Sequence, residues 1–331
     1  MSNVVIGELV AERSDLDAGP AVAPFSLQPC ARFRLTAGGV EALDSVLEPA
    51  AYRPVDLTNG ANLLNATSDL TQVVAVDEGC LAYAGPTGQR SGSAGLDWQL
   101  GLPPADSATF LGQNRLLVTV PDQRNTGHRV LLMDTATGVI VDEVKLDAFD
   151  AVAFATAHPG DGSVLVDLGE GQDGSSLYRV RVEDDRLTTT RILENVVACG
   201  FSPDGTRLLL LPHPSLPEAP QVLSWPSLEV LAVADLDAAG IDQDGIDLYG
   251  CFLDHDRVLL STHEQGFWLA RADLTAITPI ELPEQVTGTA PEFSLTLGLS
   301  ADTFSTRIWR DDRDLSTVWR LRPRTDRSSN T

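Results

Sequence analysis

Lysine is nearly missing from this 331-residue chain: of 23 basic residues only Lys145 is one, and 47 acidic residues leave a formal charge of −24. A field of that sign repels polyanions, which excludes nucleic acid and anionic membrane surfaces as partners, because both recruit proteins largely through cationic contacts to phosphate. No apolar run reaches membrane-spanning length. Residues 1–10 lack a basic stretch and are interrupted by Glu8, unlike a secretory signal, so a cytoplasmic location is expected. Cysteine is sparse. Cys30, Cys80, Cys199 and Cys251 form no CxxC pair and none adjoins a histidine, which removes a structural zinc site and leaves buried, inert thiols. Neither a Gly-x-Ser-x-Gly elbow nor a glycine-rich loop with a phosphate-binding lysine occurs, so those hydrolase and NTPase chemistries are excluded. Helical patterning is scarce as well: residues 40–47 and 234–241 offer a turn or two each, without an extended 3.6-residue stripe.

What is present is a repeat. With 43% hydrophobic and 21% charged residues the chain has enough apolar material for a core. Residues 196–201, the turn Ser202-Pro203-Asp204-Gly205, and residues 206–211 read as strand, tight turn, strand, since Pro fixes φ and Asp-Gly supplies the reversal. A Pro-rich loop over 212–220, a strand over 221–225, a turn at 226–229 and a strand over 230–235 complete four strands. Further copies align on second-strand starts at Cys30, Cys80, Arg115, Ser163, Arg207, Arg257 and Thr303, with gaps of 50, 35, 48, 44, 50 and 46 residues. A mean near 45 is the period of a four-stranded propeller blade. The expectation is an all-β, single β-propeller domain over 1–322 with seven four-stranded blades, followed by a polar tail over 323–331. The gap of 35 marks a short second blade and leaves six blades as the alternative count. The last repeat is one strand short, and residues 3–10 have no partner at their own end, so they are expected to close the ring as the outer strand of the final blade, burying Val4, Ile6 and Val10.

The run Phe201-Ser202-Pro203-Asp204-Gly205-Thr206-Arg207-Leu208 resembles bacterial β-propeller repeats of the tryptophan-aspartate-repeat-like (WD40-like) and YVTN type, and Met133-Asp134-Thr135-Ala136-Thr137-Gly138 resembles their turn between third and fourth strands. The resemblance covers about residues 108–322, although the Trp-Asp dipeptide itself does not occur. It implies the fold; propellers of this kind serve as scaffolds, lactonases, lyases and sensors, so it does not select an activity.

Loops between second and third strands are long and rich in Gly, Pro and polar residues, at 86–95, 121–127, 169–176 and 212–220, and such loops on a rigid scaffold are where binding residues collect. His213 and His263 each follow a second strand on this loop-rich face, with Glu264 beside the latter. Two imidazoles and a carboxylate suit a divalent ion or acid-base chemistry, the plainer reading being ordinary surface loops. His158 and His255 lie in first-to-second-strand turns and are expected to be solvated. Asp242, Asp244 and Asp247 approach a calcium loop, but glycine stands at its first position and Cys251 at its twelfth; the carboxylates of 167–174 invite the same comparison, and turn chemistry explains both. Seven arginines lie between 307 and 327, with Trp309 and Trp319 interleaved. Trp309, Arg310, Arg313 and Trp319 are therefore candidates for ligand or partner binding, against a solvated strand edge guarded by charge. The functional expectation is a non-enzymatic scaffold without a cofactor that binds a protein partner or small ligand. A metal-assisted lyase or lactonase is the alternative.

Overall fold

A computed structural model describes residues 5–323, apart from 14–31, 37, 45, 59, 87–95, 103–104, 113, 123–126, 149–150, 215, 217, 243–244, 263–265, 284–293, 297–301 and 311–312. Counts and absences below refer to the described residues. Strand β1 is Val5–Arg13. The first blade holds β2 (Arg32–Thr36), β3 (Gly39–Leu43) and β4 (Pro49–Pro54). The second holds β5 (Asn62–Ala66), β6 (Val73–Asp77), β7 (Cys80–Ala84) and β8 (Trp98–Gly101). The third holds β9 (Ser107–Leu111), β10 (Arg115–Asp122), β11 (Gly127–Asp134) and β12 (Ile140–Leu146). The fourth holds β13 (Val152–Ala157), β14 (Val164–Gly169), β15 (Ser175–Glu183) and β16 (Arg186–Glu194). The fifth holds β17 (Val196–Phe201), β18 (Arg207–Pro212), β19 (Gln221–Ser224) and β20 (Val230–Val233). The sixth holds β21 (Ile246–Phe252), β22 (Arg257–Thr262), β23 (Gly266–Arg271) and β24 (Thr278–Glu281). The seventh holds β25 (Ser294–Thr296), β26 (Thr303–Arg310) and β27 (Arg313–Pro323), completed by β1.

The seven-blade count is thus the observed one, and the short second blade is not. Cys80 opens a third strand; the second strand, β6, begins at Val73, so the second strands of the second and third blades start 42 residues apart at Val73 and Arg115. The misplacement has a physical reason: the β6–β7 turn is a two-residue reversal at Glu78-Gly79, both at positive φ, so it resembles the tight first-to-second-strand turns of other blades. Residues 234–241 do contain a short helix, α1 (Leu236–Ala239), capped by Asp235. Residues 40–43 instead lie in β3, Val40 and Ala42 facing the second blade and Leu43 the seventh.

A short hairpin signal recurs. Asp69, Asp161, Asp204 and Asp254 each accept, through Oδ1, the N–H two residues on, at 2.8–3.1 Å. At the first three, the acceptor also takes a hydroxyl from Thr71, Ser163 or Thr206. An Asp side chain that mimics the backbone in this way reverses the chain cheaply.

Apolar clusters form between every pair of neighbours: Val40 and Leu63 between blades one and two, Leu81 and Leu116 between two and three, Leu117 and Val166 between three and four. Leu165 packs toward Phe201, Leu209 toward Phe252, and Phe267 toward Phe304. Leu43 and Leu47 meet Val318 at the seventh junction, closing the ring. Each buried aliphatic side chain stabilises by about 1.5–3 kcal/mol.

Closure follows the expected route over somewhat different residues. β1 pairs antiparallel with β27 from Val5 opposite Pro323 to Arg13 opposite Ser316, with an irregularity between Leu9 and Ala11. Ile6 and Val10 are only half-buried, Val4 lies outside the described residues, and the buried position is Gly7. A Cβ at Gly7 would stand 2.6 Å from Leu282 Cδ2, so a larger residue there would have to displace that leucine side chain. β1 also pairs in parallel with β24 of the sixth blade, Val5 opposite Ile280 and Ile6 opposite Glu281, which merges two blades into one eight-stranded sheet.

Candidate binding face

Antiparallel blades send their first-to-second and third-to-fourth turns to one side of the ring; their second-to-third loops and the connections between blades go to the other. The turn side is tied by side chains crossing from blade to blade. Arg115 forks onto Asp185 of the next blade at 2.8 and 2.9 Å. Arg207 donates to the His255 carbonyl, and Arg257 reaches Asp302 at 3.4 Å. Trp98 donates its indole N–H to the Thr135 carbonyl.

The densest tie joins the fourth and fifth blades. His158 Nε2 donates to the Gly205 carbonyl at 2.8 Å, while its Nδ1 accepts from the Gly160 and Asp161 amides. Its ring stacks on Trp225 at 5.8 Å and meets Phe201 edge-on at 4.7 Å. Arg179 lies 4.5 Å over the Trp225 ring. Asp161 accepts from both the Trp225 indole and Arg179. Burial raises the Asp161 carboxyl, but hydrogen bonds from the Ser163 hydroxyl, the Trp225 indole and the Ser163 amide, with the nearby His158, bring it down to about 2. The expected solvated role of His158 is therefore corrected: the ring is buried by aromatic neighbours contributed by the next blade. His255 is exposed, beside Asp204.

On the loop side, polar groups also span blades. His128 Nε2 donates to Asp106 Oδ2 at 2.7 Å, and the Ala153 amide of the fourth blade donates to the same oxygen. Asp167 accepts from the Ala198 amide of the fifth blade at 2.8 Å. Burial pushes the Asp167 carboxyl up to about 7, against that one hydrogen bond. Ser175 donates its hydroxyl to the Val196 carbonyl at 2.6 Å. Beside these, Arg191 bonds Ser176 and Glu194.

His213 is buried, its Nε2 donating to the Gly171 carbonyl of the fourth blade at 2.9 Å and its amide to the Asn195 carbonyl. His263 and Glu264, its expected companions, lie outside the described residues, as does Asp244. Asp242 is exposed, and Asp247 accepts from the Leu248 amide at 2.7 Å. Among the described residues no three His, Cys, Asp or Glu side chains stand together as a metal site. Trp309 and Arg310 end β26 and Arg313 begins β27, with Arg310 opposite Arg313 at the tip of that hairpin on the loop side. Trp319 is corrected: it is fully buried, packed with Phe304 and Phe267, its indole donating to Thr306 Oγ1 at 3.1 Å, and it is unavailable to a partner. Cys199 and Cys251 are buried as expected, and burial raises the Cys199 thiol, whereas Cys80 is only half-buried and Cys30 lies outside the described residues.

Missed in the sequence were the blade-to-blade carboxylates Asp106 and Asp161; Asp167, weighed there for a calcium loop, instead lies in β14 and accepts from the next blade. The Asp-x-Ser spacing at Asp161 was the one available signal.

No protein-family model and no curated protein matches the chain. Among solved structures it is similar to the WD40 domain of Neurospora crassa Pan2, at 10% identity, 98% of each chain covered and a TM-score of 0.56. It is similar to the β-propeller domain of the trilobed protease of Pyrococcus furiosus, described as having an open velcro topology, at 14% identity, 90% and 94% coverage and a TM-score of 0.50. A prolyl endopeptidase is similar at 12% identity and a TM-score of 0.58, covering 93% of this chain and 45% of that one. These likenesses show the β-propeller fold; identity at this level carries no activity with it. No helix among the described residues is long and apolar enough to cross a membrane.

Proposed function

We propose that the chain is a non-enzymatic, cytoplasmic propeller scaffold of the bacterial tryptophan-aspartate-repeat-like or YVTN type, binding a protein or small ligand through its loop-rich face. One observation carries the reading. The loop-side polar groups Asp106, Asp167, Ser175 and His213 are engaged in fixing neighbouring blades to each other, with His128 holding Asp106, which makes the face a rigid platform for the loops it displays. The arginine-bearing hairpin tip at Arg310 and Arg313 is the cationic element of that platform in an otherwise acidic chain.

The test is affinity capture from the native cytosol by the parent chain and by Arg310→Glu/Arg313→Glu, with hydrogen exchange on the purified complex. Protection of loops 169–176 and 212–220 and of the hairpin tip, weakened by the charge reversal, is expected. A stoichiometric divalent ion retained through chelator-free purification, with a melting temperature raised by added zinc or calcium, would overturn the reading in favour of a metal-assisted lyase or lactonase.

A further inference from the structure

The outer strand of the fifth blade differs from its counterparts. β20 is terminal in its sheet, and Val230, Leu231 and Val233 are 57, 55 and 54% exposed. Within the strand there is no charge, no proline and no lysine, the usual devices that keep an open edge from pairing. Two other outer strands, one of the adjacent sixth blade and one of the third, are engaged. β24, one blade on, already carries an added parallel strand, β1. β12 holds the next blade through Asp142, which accepts from the Leu187 amide at 2.7 Å and meets Arg186 at 3.3 Å. The molecule thus shows, at the same ring position one blade away, what an outer edge of this kind accepts.

Charge identifies the occupant. Residues 208–256 contain no Lys or Arg and nine Asp or Glu. Exposed Glu229, Asp235 and Asp237 bracket β20. A second copy of the chain would set acid against acid, whereas an extended segment alternating apolar and basic residues would pair its backbone with β20 and place its cations among the carboxylates.

We propose that β20 is a strand-addition site for an extended, basic and apolar segment of a protein partner. This deepens the scaffold reading and rests on it only in taking the partner to be a protein.

The probe is a fluorescein-labelled ten-residue peptide alternating valine and arginine, titrated by anisotropy, with a valine–glutamate peptide as the control. Saturable binding that weakens with salt is expected for the arginine peptide alone, reduced tenfold or more by Leu231→Lys/Val233→Lys and unchanged by Val139→Lys in the turn that precedes β12. All three sites are exposed, and matched melting temperatures confirm intact folding. The arginine peptide should also slow amide exchange across residues 230–233. Absence of saturable binding, equal affinity in the β20 variant, equal binding of the glutamate peptide, or no slowing at 230–233 would each overturn the proposal. Slowing confined to loops 169–176 and 212–220 would sink the edge while leaving the loop-face scaffold standing; slowing at the edge, with the loop-face capture experiment negative, would do the reverse.

Discussion

The junction between the fourth and fifth blades and the seam between the seventh and first are held by different physics. At the first, Leu165 and Leu177 pack on Phe201, Leu208 and Leu210, the His158–Trp225–Arg179 stack lies on the turn side, and Asp167 and His213 cross on the loop side. At the second, the described buried cluster is Leu43, Leu47 and Val318, backed by Val10 and Ala11, and closure relies on the main-chain ladder of β1 with β27 within the seventh blade. One junction is specified by side chains of two blades consecutive in the chain. The other depends on a single strand arriving from the far end of the chain.

Four measurements sharpen that contrast. Deleting residues 1–12 removes most of the ladder and opens the ring, and the net stability of a domain, roughly 5–15 kcal/mol, is too small to absorb the loss; the expected outcome is insoluble or unfolded protein by circular dichroism. A deletion product that melts like the parent would show the seam to be dispensable. Second, Asp167→Asn should stabilise the protein at pH 8 and leave it unchanged near pH 4. The folded carboxyl, at about 7, lies above its unfolded value, so its contribution is complete below about pH 4 and is lost as pH rises through 7. At about 1.4 kcal/mol per pH unit the gain is bounded by on the order of 4 kcal/mol. Denaturant titrations at the two pH values decide it. Third, Trp225→Ala should cost about 2 kcal/mol, since the half-buried ring supports His158, Phe201 and Arg179 together. The same variant should reduce acid lability: Asp161, at about 2, contributes stability above its unfolded value that is lost as pH falls from about 4 through 2, and the indole donates to it. Fourth, Arg115→Ala, at the exposed fork to Asp185, should cost less than about 1 kcal/mol in thermal melts, as solvent-screened pairs do.

The architecture was legible because its signals are local. Val196–Phe201 coincides with a strand read from its turn residues, Thr303 opens a strand where the repeat placed one, and the unpartnered N-terminal run was enough to infer closure. The second blade was misread because Glu78-Gly79 makes a reversal like those elsewhere, and local chemistry does not count strands. The face was less legible. Trp319 carries the composition of a binding hot spot, yet β27 alternation turns it into the core. His158 sits in a turn, yet the next blade supplies the rings that bury it. In both cases the deciding neighbour is tens of residues away, and no short motif reports it.

The ladder of β1 with β27 also orders events in time. Leu9 and Trp319 face each other across 310 positions of chain, a separation whose length-dependent closure entropy alone is ~5 kcal/mol. On a ribosome, the strand that emerges early must wait for the last blade before it finds its place. Six blades can assemble as a crescent in the meantime, and the edge that β1 will cover on β24 stays open until the seventh blade has been made. A fusion attached ahead of residue 5 would interfere with that final insertion more than one attached beyond residue 323.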